Sequence, residues 1–299
     1  MGVSEPAALI VNGKSRTGQD WFPQVEQALR DGGLELAICK LHREPSQVIP
    51  HVKEAIDKGI RLVCVGGGDG TLSGAARHFI GSESVMGVLP LGTGNSLARD
   101  LKIKINPKDA CDTILHGREE SIDVGEVNGA TFLNVATVGL TGLIAENLDD
   151  AAKKRFGRAV YLIAMIKALA KMRRFNAVIE LPNGETHKFR SIQVVVGNGR
   201  FHAGPFPISP DASIESGYLS GYSVNTSRKG VFFRYLLSLW LGRHVDFREI
   251  EPFHATSLKL TTHPPKKVVV DGEVMFRTPA EYKVLPGALK VMVPAEADL

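Results

Sequence analysis

Hydrophobic positions along the chain follow two rhythms. Up to about residue 120, short apolar runs alternate with longer segments of helical periodicity. Ala7–Val11 reads as a buried strand, a polar Gly-containing turn follows, and Gln19–Asp31 reads as a helix. Leu34–Lys40 is a second strand, Gln47–Lys58 a second helix stopped by Gly59, and Arg61–Val65 and Val85–Leu89 are two more strands. Short apolar strands separated by helices predict a parallel sheet covered on both faces. Beyond about residue 120 the period shortens. Ser121–Asn128, Thr131–Val138, Ala177–Leu181, Lys188–Gly197, Leu219–Val224, Ser257–Thr262 and Lys267–Asp271 read as strands, some joined by turns such as Pro182-Asn183-Gly184. Helical stretches over about 158–173 and 228–241 interrupt them. The predicted fold class is α/β plus all-β. An α/β domain occupies residues 1–122 and an antiparallel β-sandwich-type domain residues 123–285, with a last strand near 286–299 returning to the first domain. The boundary is a change of pattern near Asp123, not a linker.

Three of the early strands end in small-residue loops: Asn12–Gly18, Gly66–Thr71 and Gly92–Asn95. Asn12-Gly13-Lys14-Ser15 is not a P-loop, because Ala8 stands where the motif's first Gly belongs. Gly68-Asp69-Gly70 does not complete G-x-G-x-x-G either, since Ser73 replaces the third Gly. In an open α/β sheet, ligands bind beyond the carboxyl ends of the strands. Glycines there let main-chain N–H groups and helix N-termini meet anionic oxygens. With Lys14 and Arg16 for charge, and Thr71, Thr93 and Asn95 as neutral donors, the three loops suit a polyphosphate. Asp69 would repel phosphate directly, so Mg²⁺ or a water bound to it is its expected partner. The plainer alternative is three tight turns, with Asp69 and Asn95 capping helices.

Composition narrows the picture further. Gly contributes 31 of 299 residues, above the usual ~7%, which fits close backbone approach at loops. The net charge of +4 is too small to argue for a nucleic-acid partner. Cys39, Cys64 and Cys111 form no C-x-x-C pair, so neither a disulfide framework nor a zinc site is expected, and a reducing cytosol is the natural compartment. Met1–Pro6 lacks a basic targeting region, and the longest apolar runs fall short of the ~20 residues of a membrane span. The nine histidines show no metal-ligand spacing. Lys153–Arg174, by contrast, contains eight Lys/Arg and no acid, and the apolar stretch 231–241 is flanked by Arg228, Lys229, Arg243 and His244. Such segments read either as core helices with a basic edge or as surfaces for an anionic membrane. Arg155, Arg158, Lys167, Lys171 and Trp240 are the lipid-facing candidates.

Gly67-Gly68-Asp69-Gly70-Thr71 and Pro90-Leu91-Gly92-Thr93-Gly94-Asn95 together resemble the two nucleotide loops of the diacylglycerol kinase-like lipid kinases, especially their small bacterial members. The first loop is shared with NAD kinases, which lack the second. The resemblance extends through Ile122-Asp123-Val124-Gly125, Phe132-Leu133-Asn134, the basic stretch Gly157–Arg174, Ser209-Pro210-Asp211-Ala212 and Val270-Asp271-Gly272-Glu273. It implies an N-terminal domain of the NAD kinase and diacylglycerol kinase type, with a cleft between it and the β-rich domain. ATP would lie on Asn12, Lys14, Ser15, Gly67, Gly68, Asp69, Gly70, Thr71, Gly92, Thr93, Gly94 and Asn95. Asp69 and Asp123 would be the residues nearest Mg²⁺. Glu273 would act as general base on the hydroxyl of a lipid alcohol, and Asp271 would orient it or join a metal–water network; phosphoryl transfer to an alcohol needs such a carboxylate. The location implied is cytoplasmic, peripheral at the membrane.

This chain departs from the family pattern at four places. Ser96 stands where many members have Asp, Ser73-Gly74 where Asn-Glu is usual, Ser216 where an Asp holds a structural Mg²⁺, and Ala203-Gly204-Pro205 where a Gly run is expected. Four functions therefore stay open: a diacylglycerol-type lipid kinase in the lead, then a sphingoid-base or other long-chain alcohol kinase, a weakly catalytic lipid-binding protein, and an NAD kinase.

Overall fold

The computed structural model describes residues 6–146, 167, 171, 173–202, 206–208, 212–225 and 250–299. The α/β half begins with strand β1 (Pro6–Asn12), helix α1 (Gly18–Asp31), β2 (Glu35–His42), α2 (Val48–Asp57) and β3 (Leu62–Gly67). It continues through α3 (Asp69–Ala76), β4 (Val85–Pro90), α4 (Ser96–Asp100) and α5 (Pro107–His116). β1 to β4 are parallel in the order β2-β1-β3-β4. β1, β3 and β4 are buried on both faces, which explains their unbroken apolar runs, while the edge strand β2 alternates between buried and exposed positions.

The β-rich half contains β5 (Arg118–Val127), β6 (Ala130–Phe132), β7 (Val135–Gly139), α6 (Leu140–Glu146), β8 (Phe175–Glu180), β9 (Thr186–Ser191) and β10 (Gln193–Gly197). There follow β11 (Phe201–His202), β12 (Phe206–Pro207), β13 (Leu219–Val224), β14 (Ile250–Ala255), β15 (Ser257–His263), β16 (Lys267–Val270), β17 (Glu273–Arg277) and β18 (Ala280–Val293). One six-stranded antiparallel sheet has the order β14-β13-β10-β7-β16-β17. The other sheet is shared by both halves: β4 is followed by β18, β15, β8 and β9, with β5 pairing along β18. β18 lies beside β15 at its start and reaches β4 in parallel at Val291↔Met86. Two apolar cores result, one around β1, β3 and β4 and one between the β-rich sheets.

Two predicted strands are broken in two. Thr131–Val138 divides into β6 and β7, and Lys188–Gly197 into β9 and β10, each half in a different sheet. The second break has a visible cause: the Ile192 N–H donates to the Val224 carbonyl, and its own carbonyl accepts from Leu140. Its main chain is thus spent on two other segments. The predicted helices over 158–173 and 228–241 lie outside the described residues, apart from Lys167, Lys171 and Arg173, all exposed.

Candidate active site

The three strand-end loops converge. The Asn12 Nδ2 donates to Thr71 Oγ1 at 2.9 Å, the Thr17 N–H to the Leu91 carbonyl at 3.3 Å, and the Leu91 N–H to the Gly67 carbonyl at 2.9 Å. Gly68 and Gly92 touch main chain to main chain: a Cβ at Gly92 would stand 2.5 Å from the Gly68 Cα. Only glycine fits there. Gly67, expected in a loop, is the last residue of β3, and α3 begins directly at Asp69 with Gly68 as its N-cap. Lys14 and Thr93 are exposed on the rim, and Ser15 and Gly94 are half-buried beside them.

The polar side chains inside these loops serve the loops first. Asn95, in a left-handed conformation at φ 52°, accepts from the Gly92 N–H and donates to the Gly92 carbonyl. Its amide shapes the loop. Asn12 is likewise held, accepting from the Lys14 N–H while it donates to Thr71. Asp69 accepts from the Ser96 N–H at 2.7 Å. Burial pushes its carboxyl up, opposed by backbone N–H groups of Ser96, Leu97 and Asn95. It therefore stabilises the start of α4 rather than of its own helix, stitching the first Gly-rich loop to the second.

Across a cleft of about 700 Å³ stands the β16–β17 hairpin. Asp271 and Gly272 both have positive φ, 44° and 97°, and connect Val270 to Glu273 as a two-residue turn of the type that matches strand twist. The Asp271 carboxylate accepts from the backbone N–H groups of Leu133 (2.9 Å), Asn134 (3.1 Å) and Val135 (2.9 Å), and from the Ser73 hydroxyl. Two donors on each oxygen fill the acceptor capacity of a carboxylate. Burial pushes this carboxyl up while those four donors favour its ionised form. Asp271 has no place for a metal-bound water; it positions the turn, and with it Glu273, which is exposed on the cleft wall.

Asp123 is tied into the main chain as well. It is buried, and its two oxygens accept from the N–H groups of Gly217 (2.6 Å) and Gly287 (2.9 Å). Beside it, the Ser216 hydroxyl donates within its own turn, to the Ser213 and Tyr218 carbonyls. A neutral hydroxyl already used in this way does not fit the structural Mg²⁺ that the family pattern would put there. Among the described residues no three His, Cys, Asp or Glu side chains gather to hold a metal. That donor set fits Mg²⁺ only as it travels with a nucleotide, keeping waters and phosphate oxygens as ligands.

Sequence reasoning gave Gly70 to the nucleotide and noticed Ser73-Gly74 only as a departure, and it missed Arg77 and His78. Gly70, Ser73, Gly74 and Arg77 line the cleft together with His78. Their spacing of 0, 3, 4 and 7 puts the first four on one face of α3 and its continuation, a signal readable from the sequence. Asp100, at the end of α4, is 5% exposed. Its Oδ1 accepts from the Arg200 N–H at 3.0 Å, in the turn after β10, while its Oδ2 has no partner. Desolvation drives its pKa up to about 7 against the pull of the Arg200 and Phe201 main-chain N–H groups and of the Lys102 and Arg200 charges. Of the lipid-facing candidates, Arg155, Arg158 and Trp240 lie outside the described residues.

The comparisons with known proteins agree with this geometry. Residues 6–127 match the diacylglycerol kinase catalytic domain, and residues 134–293 match the YegS C-terminal NAD kinase beta sandwich-like domain. The chain belongs to the diacylglycerol kinase-like lipid kinase family. A Pseudomonas aeruginosa protein named "Probable lipid kinase YegS-like" is 29% identical over 301 residues, covering 97% of this chain and 95% of that one. A Mycobacterium tuberculosis protein named diacylglycerol kinase is 30% identical over 245 residues, covering 80% and 79%. A longer Synechocystis relative is 28% identical over 265 residues, 85% of this chain and 60% of its own length. Solved Bacillus anthracis chains share the fold, one with TM-score 0.83 at 24% identity covering 98% of this chain and 97% of the other. An Archaeoglobus fulgidus NAD kinase solved with ATP is more distant, TM-score 0.55 at 12% identity over 96% and 93%. The family's two-domain architecture of an α/β domain and a β-sandwich is thus the one expected from the sequence.

Proposed function

We propose that this chain is an ATP-dependent kinase of a lipid alcohol of the diacylglycerol type. The observation that carries the reading is the placement of Glu273: a free carboxylate on a turn fixed by four hydrogen bonds, in a cleft whose opposite wall is the helix that leaves the Gly-rich loops. The triphosphate would lie along the main chain at Gly68–Gly70 and Thr93–Gly94, the Gly92 and Thr71 N–H groups being spent on Asn95 and Gly68, with Lys14 on the rim supplying charge. Asp69 is the carboxylate that would face the water shell of Mg²⁺ bound with the nucleotide, an ion that would neutralise charge on the phosphate oxygens. Glu273 takes the proton of the acceptor hydroxyl as the new bond from oxygen to the γ-phosphorus forms and the bond to the ADP oxygen breaks. Catalysis is otherwise positioning: Asp271 holds the base, and Ser73 ties it to the nucleotide domain.

The test is labelled ATP with Mg²⁺ and a panel of acceptors: detergent-dispersed lipids including 1,2-diacylglycerol and sphingosine, and NAD. Diacylglycerol phosphorylation is expected, and Glu273→Gln should lower turnover by about 10²–10⁴-fold with an unchanged melting temperature. Labelled sphingosine alone moves the acceptor to a sphingoid base, and labelled NADP replaces the reading with an NAD kinase. No labelled product at all overturns it.

A further inference from the structure

The hairpin that carries Glu273 has a second end, and it too lines a cavity. Lys266, Lys267 and Arg277 close with Lys171 and Arg173 around a space of about 220 Å³. The described lining holds five cations and no carboxylate, the remainder being main chain and apolar groups such as Leu140 and Phe175. Lys266 Nζ rests 5.5 Å above the Phe175 ring. Lys171, Arg173, Lys266 and Arg277 alone bring four like charges to one cavity, and a bound anion relieves their repulsion.

Between the basic cavity and Glu273 lie Val274 and Met275, 44% and 46% exposed, two of the three large hydrophobic residues exposed among those described. Consecutive strand residues normally face opposite ways. Here Val269 opposes Val274 and Val268 opposes Phe276, so Met275 is an extra, bulged residue. β17 is also the edge of its sheet. An exposed apolar edge is ordinarily avoided because it invites association. The proposed base, the two apolar side chains and Arg277 occupy one strand, about 13 Å from end to end at ~3.3 Å per residue. All four are exposed, Met275 lining the cleft with Glu273 and Arg277 the basic cavity, so one surface along the strand can meet both openings.

We infer that this face docks on an anionic bilayer, with a phospholipid phosphate in the basic cavity and Val274 and Met275 entering the interface beside the cleft mouth. Its consequence for catalysis, delivery of a bilayer-resident alcohol to Glu273, rests on the lipid-kinase reading; the docking itself does not. The experiment is co-sedimentation with phosphatidylcholine vesicles, with and without phosphatidylglycerol, run beside the micellar kinase assay. The intact chain should bind only the phosphatidylglycerol vesicles, less tightly as salt rises. Lys266→Ala with Arg277→Ala should weaken binding about thirtyfold, at ~1 kcal/mol per cation. Val274→Ser with Met275→Ser should weaken it independently, and circular dichroism melts check that each variant is folded. Equal binding by the folded cationic variant and the parent overturns the inference while leaving micellar turnover intact. Binding of inorganic phosphate without vesicle binding overturns it as well. Vesicle binding without any lipid product supports docking and overturns the kinase reading alone.

Discussion

Two carboxylates tie the α/β half to the β-rich half, and their surroundings differ. Asp271 reaches back from the hairpin turn to Ser73 on α3 while holding three main-chain N–H groups of its own half. Asp100 reaches from α4 to the main chain at Arg200 and leaves one oxygen without a partner. Each is removed from water, which penalises an ionised carboxyl. The donors repay that penalty at Asp271 but only partly at Asp100. The first tie is consequently firm and sits under the proposed base. The second depends on protonation and sits under the second nucleotide loop, since α4 is held by Asp69 at one end and by Asp100 at the other.

The strongest way to break this contrast is Asp271→Ala. Three main-chain N–H groups lose their acceptor, at about 1–3 kcal/mol each when they stay buried. Urea unfolding should therefore show a loss of roughly 3–9 kcal/mol, and turnover should fall with it because Glu273 is no longer fixed. Stability close to that of the parent would mean that water replaces the carboxylate and that the turn does not depend on it.

Asp100→Asn tests the other tie with a smaller effect of opposite sign. A carboxyl with a folded value of about 7 and an ordinary value of 3.8 holds a proton in the folded chain over an interval where the unfolded chain has lost it. Its contribution to stability is complete below about pH 4 and is lost as pH rises through about 7. The asparagine variant does not titrate, so its unfolding free energy should lack that decline. At pH 8 it should exceed the parent by up to about 4 kcal/mol. Denaturation midpoints measured from pH 5 to 8 decide this, and parallel profiles for the two proteins would refute the role given to Asp100.

The sequence made the architecture legible because apolar runs and Gly-rich strand ends are local signals. Residues 62–71 and 85–95 announce strand, loop and phosphate chemistry within a few positions. The hairpin turn at Asp271-Gly272 was equally visible, but the job of Asp271 was not. Its four donors come from residues 73 and 133–135, more than a hundred positions away. The ties of Asp123 were hidden for the same reason, since the Gly217 and Gly287 N–H groups it accepts from carry no sequence mark. The bulge at Met275 depends on pairing with β16, and β17 shows no clean alternation to reveal it. Ser73, noticed only as a departure from the family pattern, turns out to span the cleft.

The contact that isolates the Asp100 tie is also the finest. A Cβ added to Gly199 would stand 2.3 Å from the unpartnered Asp100 Oδ2 and 2.8 Å from the Ile214 side chain. Gly199→Ala should therefore cost about 1–3 kcal/mol, as overpacking does elsewhere. Part of that cost belongs to the carboxylate and part to Ile214, and a double-mutant cycle separates them. In an Asp100→Ala background the nearer obstacle is gone, so the same Gly199→Ala change should cost less by about 0.5–3 kcal/mol. Additive losses would mean that Ile214 alone sets the requirement for glycine and that the turn after β10 does not sense the Asp100 carboxylate.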